Sequence, residues 1–277
     1  MRYRLLILAA AVLFSTGGAA IKSASLTSWQ VACFRSGVAA VVLLLLVPAS
    51  RRVWDYRVWV AAAAYAATMI LFVTANKLTT AANAIFIQST APLYLLVLGP
   101  WLLKEPIRQK DLAFMAVVAA GLSLFFFGSE RIVATAPNPA TGNLLALISG
   151  VTWAFTIVGL RWLGRKQSDD LSLGMVTAGN VIAFGVCLPL ALPVVHWGAP
   201  DLAVIGYLGV FQIGLAYVCI SKGIRKVPAF EASSLLLVEP ALNPLWAWLV
   251  HGEIPSAGAL AGGALILAAT LVQSRSR

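Results

Sequence analysis

The chain has 277 residues, 60% of them hydrophobic and only 11% charged. A soluble domain carries about a quarter charged residues, so this composition excludes an ordinary soluble protein and suits lipid. A net charge of +10 would suggest nucleic acid in a soluble protein, but here Lys and Arg sit in short gaps between apolar runs, as in loops facing cytoplasm and anionic lipid, so no nucleic-acid partner is expected.

Hydropathy predicts ten helical spans, at 5–22, 29–49, 57–76, 82–103, 111–128, 143–163, 171–194, 202–221, 229–250 and 255–273. Their length suits a bilayer crossing, and they lack the two-residue alternation of barrel strands. Span one follows Arg2 and Arg4 and ends near Ala19 and Ala20, which is also the outline of a signal peptide. The internal repeat described below needs it as a first helix, so it is expected to be retained. It carries Phe14. Span two holds Cys33 and Arg35; Arg35 lies about two turns from the outer end and is expected to snorkel outward in a structural role. Span three carries Phe72 and Asn76, and span four Gln88, Pro92 and Tyr94. Pro92 removes a backbone donor and frees the carbonyl of Gln88. After span five comes the longest gap, 129–142, rich in Pro, Ala and Thr. Span six carries Trp153, Phe155 and Arg161, span seven Asn180 and Cys187, and span eight Gln212, Tyr217 and Cys219. Span nine holds Glu239, Pro240, Asn243 and Trp246, with Pro240 freeing the carbonyl of Leu236. Span ten contains Gly258 and Gly262, a spacing that marks close helix packing within the protomer or between two copies. Trp29, Trp54, Trp59 and Trp197 fall near span ends and read as belt residues.

With the N-terminus in the cytoplasm, the inner side receives Arg2, Arg4, Arg51, Arg52, Arg57, Lys104, Arg108, Lys110, Arg165, Lys166, Lys222, Arg225, Lys226, Arg275 and Arg277. The outer side receives only Lys22, Lys77 and Arg131. This bias sets both termini inside. A spacing of 148 residues separates Pro92 from Pro240 and Glu105 from Glu253, and 139 separates Phe14 from Trp153 and Lys22 from Arg161. Each half thus reads as five spans. Five is odd, so the second half enters the membrane inverted. Its Glu253 turn, without Lys or Arg, faces outward, while the Glu105 turn with Lys104 faces the cytoplasm. Chance similarity between alanine-rich runs is the plainer alternative. The expected architecture is an all-α membrane protein of two inverted five-helix repeats, 1–128 and 143–277, joined by a loop at 129–142.

The phrases Phe14-Ser15-Thr16-Gly17, Phe34-Arg35, Ser89-Thr90-Ala91-Pro92 and Lys104-Glu105-Pro106 recur in part as Trp153-Ala154-Phe155, Val238-Glu239-Pro240 and Gly252-Glu253. Together they resemble the drug/metabolite transporter superfamily in its ten-span, two-repeat EamA form, with Phe14 standing where the family's first repeat has Trp. Within that superfamily the chain is most similar to the bacterial exporters of aromatic amino acids. The resemblance implies a bacterial inner-membrane exporter of amino acids or related metabolites, coupled to protons.

Inverted repeats place a substrate site near the midplane, between the halves. Candidate cavity residues are Phe14, Phe72, Asn76, Gln88, Tyr94, Trp153, Tyr217, Asn243 and Trp246; for each, helix packing or helix-to-helix hydrogen bonding is the bland alternative. Pro92 and Pro240 are either cavity-lining flexing points or plain kinks. Glu239 is the one acid expected near mid-membrane, where a charge costs at least a few kcal/mol. It is either a proton-coupling or substrate-amine site, or a neutral carboxyl hydrogen-bonded within the bundle.

Signals for catalysis are sparse. His196 and His251 fall at the outer boundary, the three cysteines lie within spans, and no CxxC, phosphate-binding loop or nucleophile elbow occurs. No cofactor or metal is expected, and without an ATP site the energy must come from a gradient. A secondary transporter working by alternating access is the reading favoured over a channel, which lacks a charge ring, or a lipid-modifying intramembrane enzyme, which would need a partner for Glu239. The expected partners are a small amphipathic substrate, protons and membrane lipid, with monomer and homodimer both open.

Overall fold

A computed structural model describes residues 1–51, 55–124, 136–165, 171–195, 197–252 and 257–275. Arg52, Trp54, Arg131, Lys166, His196, Glu253 and Arg277 lie outside the described residues, as does the first half of the expected connecting loop.

The described residues are built from helices. Span one is α1 (Arg2–Ser15) and α2 (Gly17–Ser23), α3 is Ser28–Leu46, and α4 is Tyr56–Leu78. Span four runs as α5 (Ala81–Gln88), α6 (Ala91–Leu98) and a π-helical turn at Gly99–Leu103; α7 is Gln109–Leu124. The second half begins with α8 (Pro139–Gly164) and α9 (Ser172–Ala191). Span eight is α10 (Ala199–Tyr207), a π-helical stretch at Leu208–Leu215 and α11 (Ala216–Ile224). Span nine is α12 (Ala229–Leu236) and α13 (Val238–His251), and α14 is Ala257–Arg275. Seven of these runs are long and apolar enough to cross a membrane by length and composition, and Leu260–Gln273 forms a shorter apolar helix.

Local chemistry explains the starts and the breaks. Thr27 caps α3 in a full capping box with Gln30, Asp55 caps α4, Thr80 caps α5 and Asn138 caps α8. Span four breaks at Ser89 and Thr90, just before Pro92, which cannot continue the hydrogen-bond ladder. The Ser89 and Thr90 hydroxyls bond back to the carbonyls of Ile85 and Ile87. Span nine breaks at Leu237, likewise three residues before its proline, Pro240. Ser89 (φ −69°, ψ 1°) and Leu237 (φ −64°, ψ −7°) share one backbone conformation and are themselves 148 residues apart. The same interval separates Lys104 (φ 55°) from Gly252 (φ 66°), the left-handed residues that end spans four and nine. The internal spacing read in side chains therefore recurs in backbone geometry. Span one does not follow its partner: it breaks at Thr16, whereas α8 is continuous through Phe155.

The two halves interlock. α4 packs on α8 and α9, α1 on α11, α3 on α9 and the π stretch of span eight, and α7 on α14. Exchanging the halves turns the α4–α8 contact into the α1–α11 contact and leaves the α3–α9 and α7–α14 contacts in place. The outer faces expose Leu45, Leu46, Val60, Val97, Trp101 and Trp59 among other large apolar residues, a surface made for lipid. Residues expected on the inner side meet at one end, where Glu105 binds Arg161 and Arg165. Those expected outside meet at the other, where Lys77 donates to the Ala24 carbonyl. Cys33 and Cys187 are buried free thiols.

Candidate substrate cavity

A cavity of about 20 Å³ lies inside the bundle, room for one or two waters. Its walls are Phe14 of α1, Arg35 of α3, Thr68, Met69 and Phe72 of α4, Gln88 of α5, Trp153 of α8, Gln212 and Tyr217 of span eight and Glu239 of α13. A recess beside the two helix breaks shares Gln88, Trp153 and Glu239 with it and adds Pro92, Ser233 and Leu237. Both broken spans thus border the same internal space. Gly150 lets α8 lie against the span-four break: a Cβ there would stand 3.1 Å from Thr90 Oγ1 and 3.2 Å from the freed Gln88 carbonyl.

One wall is aromatic. Phe14 meets Trp153 edge-on at 6.1 Å between ring centroids and Tyr217 at 5.1 Å, while Tyr65 stacks its edge on Tyr217 at 4.9 Å. Tyr65 is wholly buried and receives a hydrogen bond from Asn180 at 2.9 Å. Sequence alone did not single it out, because a Tyr in an alanine-rich run carries no spacing signal.

The polar wall differs from expectation at Arg35. Its side chain does not snorkel outward. It is 0% exposed and turns into the bundle, with Nη2 donating to the Met69 carbonyl at 3.1 Å and Nη1 reaching Gln212 Oε1 at 3.5 Å. The reason is local: the α4 carbonyl, the span-eight amide and the cavity together offer it a polar surrounding that a lipid-facing path lacks. Gln88 donates to Ser149 at 2.7 Å. Glu239 is buried against the cavity and accepts no hydrogen bond from the described residues.

The other expected residues stand elsewhere. Asn243 donates to the Ala81 carbonyl at 3.0 Å and Asn76 to Phe72 in its own helix, and their side-chain oxygens crowd the space beside Gly18. Trp246 donates to Ser15 at 2.9 Å, fastening α13 to α1. Tyr94 is half-buried and packs against the core.

At one end of the bundle Glu105 gathers four elements. Its Oε1 accepts from Arg161 at 2.7 Å and Arg165 at 2.8 Å, and its Oε2 from the Ala229 amide at 2.8 Å. Arg161 also donates to the Ile224 and Arg225 carbonyls, each at 2.8 Å. Burial pushes the Glu105 carboxyl up, but the hydrogen bonds from Arg161, the Ala229 amide and Arg165 outweigh it and hold the group below the usual carboxylate range.

The model of the EamA-like transporter family matches residues 1–127 and again 140–275. The chain belongs to that family. The two matches cover the two halves in which the 148-residue spacing recurs. Relatives include uncharacterized transporters from Methanothermobacter thermautotrophicus, 25% identical over 66% of this chain, and Clostridium kluyveri, 24% identical over 72%. The matched part spans 54% and 65% of those two relatives' own lengths. The uncharacterized transporter YwfM of Bacillus subtilis is 27% identical over 98% of this chain and 93% of its own. A protein crystal structure at 20% identity overlays 99% of this chain and 96% of its own with a TM-score of 0.75, a likeness of fold. The family and the long apolar helices together make the chain a multi-pass membrane protein.

Proposed function

We propose that this EamA protein is a secondary transporter that exports amino acids, aromatic or otherwise amphipathic, or related small metabolites across the bacterial inner membrane by alternating access. The carrying observation is the narrow internal cavity, lined by aromatic rings and polar groups from both halves and bordered by two matched helix breaks. Ten crossings, arranged as inverted repeats at 1–128 and 143–277 with both termini in the cytoplasm, would put that cavity near the bilayer midplane. At about 20 Å³ it holds no amino acid, so helices must part to admit one. The breaks at Ser89-Thr90 and Leu237 supply bending points on both sides of it.

In this reading Glu105 and its arginines form the cytoplasmic closure, and Glu239 is the proton-coupling group. A carboxyl bordering a cavity that alternates between dry and wet can take up a proton in one state and release it in the other. The deciding experiment is uptake into proteoliposomes, screened over the twenty amino acids with and without a pH gradient. Saturable flux of at least one amino acid, enhanced by the gradient, is expected. Non-saturating flux would favour a channel, and no flux of any amino acid would overturn the proposal.

A further inference from the structure

We infer that Arg35 is the carboxylate anchor of the cavity and that, with Glu239, it restricts transport to zwitterions. The inference rests on the proposed amino acid transport and names what part of the substrate Arg35 reads.

Arg35 is fully buried in the middle of the bundle and lines the cavity. A guanidinium always carries its charge, and in a membrane interior it calls for an anionic or strongly accepting partner. Among the described residues it has no carboxylate within ion-pair distance. One neutral carbonyl takes Nη2, a long 3.5 Å contact takes Nη1, and Nε has no partner. Nη2 also touches the Met69 sulfur at 3.6 Å, so no described charged group answers the guanidinium, and part of a planar fork that matches a carboxylate remains unused beside an internal space.

Glu239 borders the same space from the other half of the chain. No contact joins it to Arg35, so its carboxyl and the guanidinium both remain open to a ligand. A substrate with one negative and one positive end would satisfy both groups and leave its side chain among Phe14, Trp153 and Tyr217. An amine without a carboxylate would leave Arg35 unpaired, and an acid without an amine would leave Glu239 unpaired. Sites built this way discriminate strongly against the analogue that lacks a group.

The test is flux and thermal stabilisation of the protein with three probes that share one phenylethyl skeleton: L-phenylalanine, phenethylamine and 3-phenylpropanoate. The parent should prefer phenylalanine over each analogue by at least about tenfold. Arg35→Gln should bring the ratio of phenylalanine to phenethylamine to within about threefold, while its preference over 3-phenylpropanoate, which depends on Glu239, persists. Arg35→Lys keeps the charge but loses the fork, and should retain part of the selectivity if Arg35→Gln does not fold. Equal handling of phenylalanine and phenethylamine by the parent, or an unchanged ratio in whichever variant folds, overturns the anchor and leaves amino acid transport standing. Absence of any amino acid flux in the parent overturns the proposed function itself.

Discussion

Trp153 meets Phe14 and Tyr217 edge-on beside the cavity. Trp153→Ala removes that wall, so flux of bulky substrates should fall about tenfold while the amount of protein in the membrane falls far less. Equal losses would make Trp153 a packing residue only. Glu239→Gln preserves shape and hydrogen-bonding capacity but cannot titrate. The variant should fold and keep some exchange while losing both its preference for phenylalanine over 3-phenylpropanoate and its response to a pH gradient; uphill transport equal to the parent's would remove Glu239 from coupling. Glu105 makes a different kind of statement, since its carboxyl is held below the usual range by its partners. Its folded value is depressed, so its contribution is present above the ordinary carboxylate range and lost as pH falls through the folded value. Glu105→Gln should therefore cost about 1.5–3 kcal/mol at pH 7, read as thermal unfolding in detergent, and the deficit should vanish at acid pH. The sequence made these residues unequally legible. Glu105, Phe14 and Trp153 stood out because a charge or ring recurred at a fixed interval, and Glu239 because it is the one acid expected near mid-membrane. Arg35 was visible, but its direction was not: whether a long side chain turns to lipid or to the interior depends on carbonyls and amides of other helices, here Met69 and Gln212.

Among the elements, the broken spans carry the mechanical interest. Proline marked both, and the breaks fall three residues before Pro92 and Pro240. The Thr16 break carries no proline and stands just before the pair Gly17-Gly18, which hydropathy alone does not read as a stop; Thr16 bonds back to Leu13 and meets the Tyr207 hydroxyl at 2.7 Å. The π-helical stretches at Gly99–Leu103 and Leu208–Leu215 were equally hidden, since one extra residue per turn leaves hydropathy unchanged. The contact of α8 with the span-four break can be tested at Gly150. Gly150→Val places carbon atoms against Thr90 and the Gln88 carbonyl, and should destabilise the protein by about 1–3 kcal/mol and slow transport. Unchanged stability and flux would show that α8 and the break can separate freely.

For the molecule as a whole, the inverted repeat makes a prediction about sides. In a variant without native cysteines, a cysteine at Ser256 should react with an impermeant reagent added outside the cell, and one at Gln109 only from the cytoplasm. The reverse pattern would sink the proposed orientation. Composition made the membrane class legible, because lipid and water sort residues one at a time. The interlocking of halves was not, since it depends on which helix meets which. That interlocking bears on how the chain is made. α1 packs on α11 and α13 rather than on its neighbours in sequence, and Ala216 follows Ser15 by 201 residues. At roughly 5–20 residues per second of synthesis, α1 waits roughly 10–40 s in the membrane before its partners emerge. Throughout that interval the face that will meet α11 and α13, with the Ser15 hydroxyl that will receive Trp246, is left to lipid or to the insertion machinery.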